Sequence, residues 1–595
     1  MNATPLDVIP MAEAGSLFGL FQERVRRTPQ APAYRCFDSA TSQWREYTWA
    51  EAAARVAAIQ AALNEEDLQR GDRVGLMLRN CPEWVFFEQA ALGLGLVVVP
   101  LYTNDRAENV AYVLQDAGVK LLFLEGSSTL NDLAPISAQL GGLVRLVSLQ
   151  EVDGESMYPR LISLSRWTAA GGDAMQSVDS DIDALATLVY TSGTTGRPKG
   201  VMLSHRNILF NADSALQVFD IFPDDVFLSF LPLSHMLERT LGEYIPIMAG
   251  STVAYARSVQ DLAEDLLSQR PTVLISVPRI YERVYNKIYS QLEDKSPLAQ
   301  RLFHAAVDTG WRRFERGGGG GLAWPVLKKL VASKIMAKLG GRLRLAVCGG
   351  AALSPEVAKT FIGLGLNLLQ GYGLTETSPI ISGNRMQNNK PHTVGEPLPG
   401  IEVKLADNGE LLTRSPSVMM GYWNNPDATT EMIDEDGWLH TGDLASFEGQ
   451  HIRITGRSKE IIVLSNGEKI PPADMEGAIC LDPLIEQALL IGEGRPFLVA
   501  LLVLDRKAWE AEAEKLGLNP SNPDSLQDSK AKKWVLSRVA QHTKAFPGYA
   551  KVRAVDLQLE PWAIQNATLT PTMKLRRNVI IENNQARIEK LYEGH

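Results

Sequence analysis

Runs that are apolar at every position, rather than at every second one, recur along this chain with helix-length segments between them. Four are 185-LATLVY-190, 226-VFLSFLPL-233, 271-PTVLISVP-278 and 343-LRLAVCGG-350. A strand that is apolar on both sides must be covered on both sides. These runs therefore predict mostly parallel sheets with helices packed over them, an α/β fold. Several runs stop at clusters of Gly, Ser, Thr or Pro, and open α/β sheets bind ligands beyond the carboxyl ends of their strands. Residues 400–425 alternate instead, with turn residues between, which predicts a β-rich subdomain of a large N-terminal domain. Beyond 454-ITGRSKEIIVLSNGEKIPP-472 the chain becomes more charged and more helical. A boundary is expected near Lys459, with residues 1–458 in the large domain and 459–595 in a small α+β C-terminal domain.

At 595 residues the chain is too long for one core, in keeping with more than one domain. Its formal charge of −10 argues against a nucleic-acid partner, whose phosphates it would repel. Cys36, Cys81, Cys348 and Cys480 lie far apart with no C-x-x-C pair. That spacing excludes a cysteine zinc site and a disulfide framework and predicts free thiols in a reducing cytoplasm. The opening MNATPLDVIPMAEAG has no basic segment leading into an apolar one, so no secretory signal is expected. The longest apolar run, residues 90–102, is too short to cross a bilayer and contains two glycines and a proline. A soluble or peripheral cytoplasmic protein is the expectation. The glycine run 317–321 predicts a flexible loop. It falls within residues 312–344, which hold nine Lys or Arg and one acid, Glu315. There Leu327, Val331, Ile335 and Leu339 recur at i+4 on one helical face. Such a helix either lies on an anionic membrane or packs that face on the core and leaves its basic face in water.

The stretch 190-YTSGTTGRPKGVMLSH-205 follows one of the apolar runs directly. Glycines, hydroxyls and a lysine suit a phosphate cradle, but the P-loop pattern needs Lys straight after its second Gly, and here Arg197 and Pro198 intervene. Six further segments occur in order: 231-LPLSHMLER-239, 347-VCGGAALS-354, 370-QGYGLTETSP-379, 437-GWLHTGDLA-445, 454-ITGRSKE-460 and 570-TPTMKLRR-577. Together the seven resemble the adenylate-forming enzymes: acyl-CoA synthetases, luciferases and the adenylation domains of peptide synthetases. The resemblance spans nearly the whole chain, and 276-SVPRIYERVY-285 with the stretch after it looks most like bacterial long-chain fatty-acid–CoA ligases.

That resemblance implies ATP, magnesium and coenzyme A, with a fatty acid activated to acyl-AMP and then transferred to CoA. It implies that Thr191, Ser192, Gly193, Thr194, Thr195, Gly196 and Lys199 hold the β- and γ-phosphates through amides, hydroxyls and charge. Gly349, Gly350 and Ala351 would let the nucleotide lie against a strand end, with Gln370, Gly371, Tyr372 and Gly373 beside it and the Tyr372 ring under adenine. Thr375 would meet the α-phosphate and Glu376 the magnesium ion. Asp443 would accept from the ribose hydroxyls and Arg457 would donate nearby. His235 would orient the acyl carboxylate, and Lys574 would reach that carboxylate and the α-phosphate. Lys459 matches a hinge about which a mobile C-terminal domain turns, and Gly467 would then approach the pantetheine tunnel. Each residue has a plainer reading as a turn, cap or core group, and only the ordered set favours the chemistry. Two alternatives remain open: an acyl-AMP ligase that loads a carrier protein, and a non-catalytic lipid-binding relative. No nucleic acid is expected; peripheral contact with an anionic membrane at its inner face and a homodimer stay open.

Overall fold

The four apolar runs are strands: Leu185–Thr191, Val226–Ser229, Val273–Ser276 and Leu345–Cys348. The computed structural model, which describes residues 5–152, 158–178, 181–191, 197–318 and 323–593, sorts them into two large sheets. The last three are successive members of a nine-stranded sheet, with Leu274 and Ile275 in parallel register with Ala346 and Val347. The first belongs to an eight-stranded sheet, parallel to Val97–Pro100 and antiparallel to Lys199–Ser204. Helix Pro82–Gly93 packs in the core these sheets share, and all its residues but Glu83 are buried. Its sequence, PEWVFFEQAALG, is apolar almost all round, as a helix wrapped in core must be. The apolar run 90–102 ends that helix, turns, and becomes strand Val97–Pro100. Among the described residues no helix is long and apolar enough to cross a membrane.

The alternating region forms a four-stranded antiparallel sheet, Glu402–Leu405, Glu410–Arg414, Leu439–Glu448 and His451–Arg457. Gly421–Tyr422 leaves it and joins the edge of the eight-stranded sheet, with Tyr422 opposite Val201. That excursion carries Tyr422 to the ligand side of the fold.

Past residue 460 the chain builds its own core on a three-stranded sheet, Ile485–Ile491, Leu498–Leu504 and Val552–Gln558. The central strand LVALLVL is buried at every position because its alternate residues serve two cores. Leu498, Ala500 and Leu502 pack with Trp509, Val535 and Val539; Val499, Leu501 and Val503 pack with Trp562, Ile564 and Ile580. This part faces the large one across a cleft, where Arg279 lies 3.8 Å from Glu486. All four cysteines are free; Cys81 and Cys348 are buried, and Cys36 and Cys480 half-buried.

Candidate active site

The cleft is lined from the strand ends of both large sheets, the four-stranded sheet and the C-terminal part. Leu185–Thr191 and Lys199–Ser204 bracket the glycine-rich loop as an antiparallel pair, with Thr191 opposite Lys199 at the cleft wall. Ser192, Gly193, Thr194, Thr195 and Gly196 lie outside the described residues. The Lys199 ammonium sits 4.9 Å from the centre of the Tyr422 ring, and the Tyr422 hydroxyl donates to Glu376 Oε1 at 2.8 Å. Burial and the Glu376 charge hold that phenol far above its usual pKa, so it remains a donor. Tyr422 was not among the expected site residues. Its place depends on the strand register with Val201, and the sequence around it, MMGYWNN, shows only an aromatic in a turn-rich stretch.

Thr375, 9% exposed, and Glu376 open a short helical turn after strand Leu368–Gly373. Glycine is obligatory at the end of that strand: a Cβ on Gly373 would stand 1.8 Å from the Pro379 carbonyl oxygen. Glu376 Oε2 has no hydrogen-bond partner among the described residues. One carboxylate oxygen anchored and the other open to the cleft is a donor set that fits a magnesium ion, which takes few protein carboxylates and completes its shell with phosphate oxygens and water.

On the four-stranded sheet, Asp443 receives the Tyr372 hydroxyl on Oδ2 at 2.6 Å and Arg457 Nε on Oδ1 at 2.8 Å. Burial opposes the Arg457 charge, yet the adjoining carboxylate more than offsets it and raises the guanidinium pKa. Burial and the same carboxylate push the Tyr372 phenol well up. Gly349, Gly350 and Ala351 line the cleft at the end of Leu345–Cys348, and Gly350 takes a left-handed φ of +82°. Gly371 lines the same wall. Gln370 lines it too, but its amide is already engaged as a brace. Its Oε1 accepts Leu353 N–H at 3.0 Å, and its Nε2 donates to the Pro391 carbonyl.

His235 caps the short helix Met236–Glu238: its Nδ1 accepts Leu237 N–H at 3.1 Å, which leaves the ring proton on Nε2. Burial, and after it the charge of Lys574, lower its pKa to about 4. Lys574 enters the cleft from the C-terminal part on a tight turn. Thr570 N–H donates to the Lys574 carbonyl at 2.9 Å, and Lys574 N–H donates to Thr570 Oγ1 at 3.1 Å. Thr570 is buried and its hydroxyl pairs with Thr572, while Met573 holds a left-handed φ of +63°. The Lys574 side chain is open to cleft solvent but surrounded by protein. Desolvation and Arg457 lower its pKa, against the opposing pull of Asp443, Glu376 and Glu460. Lys459 is exposed in the turn after His451–Arg457 and lines the cleft. Gly467 lies at an exposed hairpin tip outside the cleft wall, so it does not join the other site residues in this arrangement.

Leu231, Leu237 and Leu241, on either side of His235, and Val277, Ile280 and Tyr285, at the start of helix Pro278–Glu293, line the same cleft. Behind them runs a π-helical turn, Arg239–Tyr244, that drives charged groups into the core. Arg239 donates to Glu88 on Pro82–Gly93 and, at 2.9 Å, to Thr187 on Leu185–Thr191; both charged side chains are fully buried. Tyr244 also donates to Glu88, at 2.9 Å. The segment carrying His235 is thereby tied to strand Leu185–Thr191, which leads toward the glycine-rich stretch. This buried pair was not anticipated, since Glu88 sits in the sequence like any helix-surface acid.

The chain matches the family described as AMP-binding enzyme over residues 21–423, and the AMP-binding enzyme C-terminal domain over 459–595. It is 34% identical over 577 residues to the long-chain-fatty-acid–CoA ligase FadD15 of Mycobacterium bovis, covering 92% of each chain. It is 32% identical to the peroxisomal long chain acyl-CoA synthetase 6 of Arabidopsis thaliana, over 93% of this chain and 83% of that one. In fold it is similar to the adenylation domain of a carboxylate reductase from Mycobacterium chelonae, with a TM-score of 0.80 and 22% identity over 98% and 94% of the two chains. It is also similar to the anthranilate CoA ligase AuaEII, with a TM-score of 0.73 and 19% identity over 96% and 98%. The chain belongs to the AMP-binding enzymes.

Proposed function

We propose that this enzyme activates a long-chain fatty acid with ATP and passes the acyl group to coenzyme A, with AMP and pyrophosphate as the other products. The observation that supports it most is the convergence of Lys199, Glu376, His235 and Lys574 on one cleft, with Lys574 reaching in from the C-terminal part. In the first step a carboxylate oxygen attacks the α-phosphorus and the bond to the bridging oxygen breaks, releasing pyrophosphate. Charge repulsion between the two anions is the main barrier, so positioned cations contribute most. Lys574 neutralises the carboxylate and α-phosphate, Lys199 faces the outer phosphates, and His235, neutral at ordinary pH, offers Nε2–H without adding charge. Asp443 and Arg457 hold the ribose end. A magnesium ion at Glu376 would compensate polyphosphate charge. In the second step the CoA thiol attacks the acyl carbonyl, AMP departs with the bonding pair, and the thiol proton passes to solvent. For that step the C-terminal part turns about Lys459, Lys574 withdraws, and the Gly467 hairpin takes its place.

The names of the relatives at 34% and 32% identity favour the CoA thioester over carrier loading. The enzyme works in the cytoplasm with peripheral contact at an anionic membrane. CoA-dependent AMP release across acetate, octanoate, palmitate and an aryl acid tests the reading: palmitate should lead, and AMP release without CoA turnover would point to an acyl-AMP ligase.

A further inference from the structure

The apolar stripe of the basic segment turns inward. Trp324 and Ala332 are buried, and Val331 and Ile335 pack beside them against Phe303, Val307 and Leu364, while Leu339 packs against neighbouring core clusters. Of the two arrangements left open for this stripe, it takes the core-packed one. On the opposite side of the continuous helical stretch 323–338, Val326 and Leu330, one turn apart, are 56% and 48% exposed. Around them Lys328, Lys329, Lys334 and Lys338 are exposed, as are Arg313 on helix Pro297–Glu315 and Arg316 just past its end. Of the nine cations in residues 312–344, only Arg344 meets a carboxylate, that of Asp225, among the described residues. A block of unneutralised cations on a chain of net charge −10 calls for an anionic partner. The exposed apolar pair favours one with an apolar interior over a nucleic acid. The surface also lies one helix from the cleft, because Tyr289 of helix Pro278–Glu293 packs on the inward stripe and lines the cleft as well.

We propose that the outward face of 323–338 seats on an anionic lipid bilayer, with Val326 and Leu330 entering the interface and the lysines facing headgroups, and that the cleft draws its fatty acid from that membrane. The seating stands on the surface alone; the supply of substrate rests on the function proposed above. The test uses the full chain with vesicles of phosphatidylcholine, alone or mixed with phosphatidylglycerol. The protein should sediment with the mixed vesicles only and be released at high salt, with each lysine worth about a fivefold change in partition. Replacing Lys328, Lys329, Lys334 and Lys338 by Gln should abolish sedimentation, replacement by Arg should preserve it, and Val326→Ser with Leu330→Ser should weaken it. Acyl-CoA formation from palmitate embedded in mixed vesicles should fall in the Gln variant, with octanoate in solution turned over as before. Equal sedimentation of wild type and Gln variant, no sedimentation with anionic vesicles, or retention on duplex DNA in preference to vesicles would each overturn the seating. Sedimentation without fatty-acid adenylation would uphold the seating and reject the function.

Discussion

Glu376 has its two carboxylate oxygens in different company, one on the Tyr422 hydroxyl and the other facing the cleft. Replacing it with Gln keeps the anchor but halves what the open side offers a cation and a polyphosphate. ATP–pyrophosphate exchange should fall about a hundredfold, near 3 kcal/mol. Tyr422→Phe should cost about tenfold, as the loss of one hydrogen bond to a charged group. Near-normal exchange by Glu376→Gln at limiting magnesium would remove the residue from the reaction. A second expectation comes from His235. With a pKa of about 4 it stays neutral as pH rises from roughly 5.5 to 8, so exchange should show no imidazole titration there. The proposed role of Lys574 needs its cation, and its pKa is lowered, so activity should fade with rising pH earlier than an ordinary lysine allows. A rate step near pH 6.5 that vanishes in His235→Asn would contradict the first half. At this scale the motifs were legible as an ordered set, and the cleft gathers Lys199, His235, Glu376, Asp443 and Lys574 from them; the part each plays in the reaction belongs to the proposal. Tyr422 and the bracing of Gln370 were not legible, since both depend on which backbone lies opposite.

Among elements, the turn 570–574 decides where Lys574 points. Thr570 is tied to both ends of the Lys574 backbone, and Met573 accepts a left-handed φ that side chains disfavour. Thr570→Val should lower adenylation by about five- to tenfold, near 1 kcal/mol, and leave conversion of supplied acyl-AMP to thioester unchanged. Thr570→Ser should restore it, and equal slowing of both half-reactions would make the threonine merely structural. The opposite split belongs to the turn at Lys459, where Lys459→Pro removes backbone freedom. It should adenylate and then stall, as single-turnover release of AMP with and without CoA would reveal. The all-apolar strands were readable because each run is short and stops at Gly, Ser, Thr or Pro. Helix Pro82–Gly93, apolar almost all round as well, shows that pattern without length would not have separated them. The side of 323–338 that faces water was not readable, for a period of 3.6 marks a stripe without saying what covers it.

For the whole molecule, the cost of packing two sheets around one core shows in the acids it encloses. Burial lifts the Glu238 pKa to about 8, and Glu238 Oε2 has no hydrogen-bond partner among the described residues. The folded protein holds this proton while the unfolded chain releases it near the ordinary glutamate value, so stability falls as pH rises between those two values. The melting temperature of Glu238→Gln, relative to wild type, should climb from roughly pH 5 to 8 and level off above; a constant difference would mean that Glu238 ionises normally. The Glu88–Arg239 pair follows another rule. Arg239→Met alone strands a buried carboxylate and should cost about 3–5 kcal/mol, whereas Arg239→Met with Glu88→Leu should cost less than either single change. Midpoints from thermal melts of the four proteins would expose additive costs if the coupling is absent. Positions 88 and 239 stand 151 residues apart in the chain. A change at either position alone therefore carries the cost of an unpaired buried charge, so each constrains what the other can become, and with them the placing of the histidine turn against strand Leu185–Thr191.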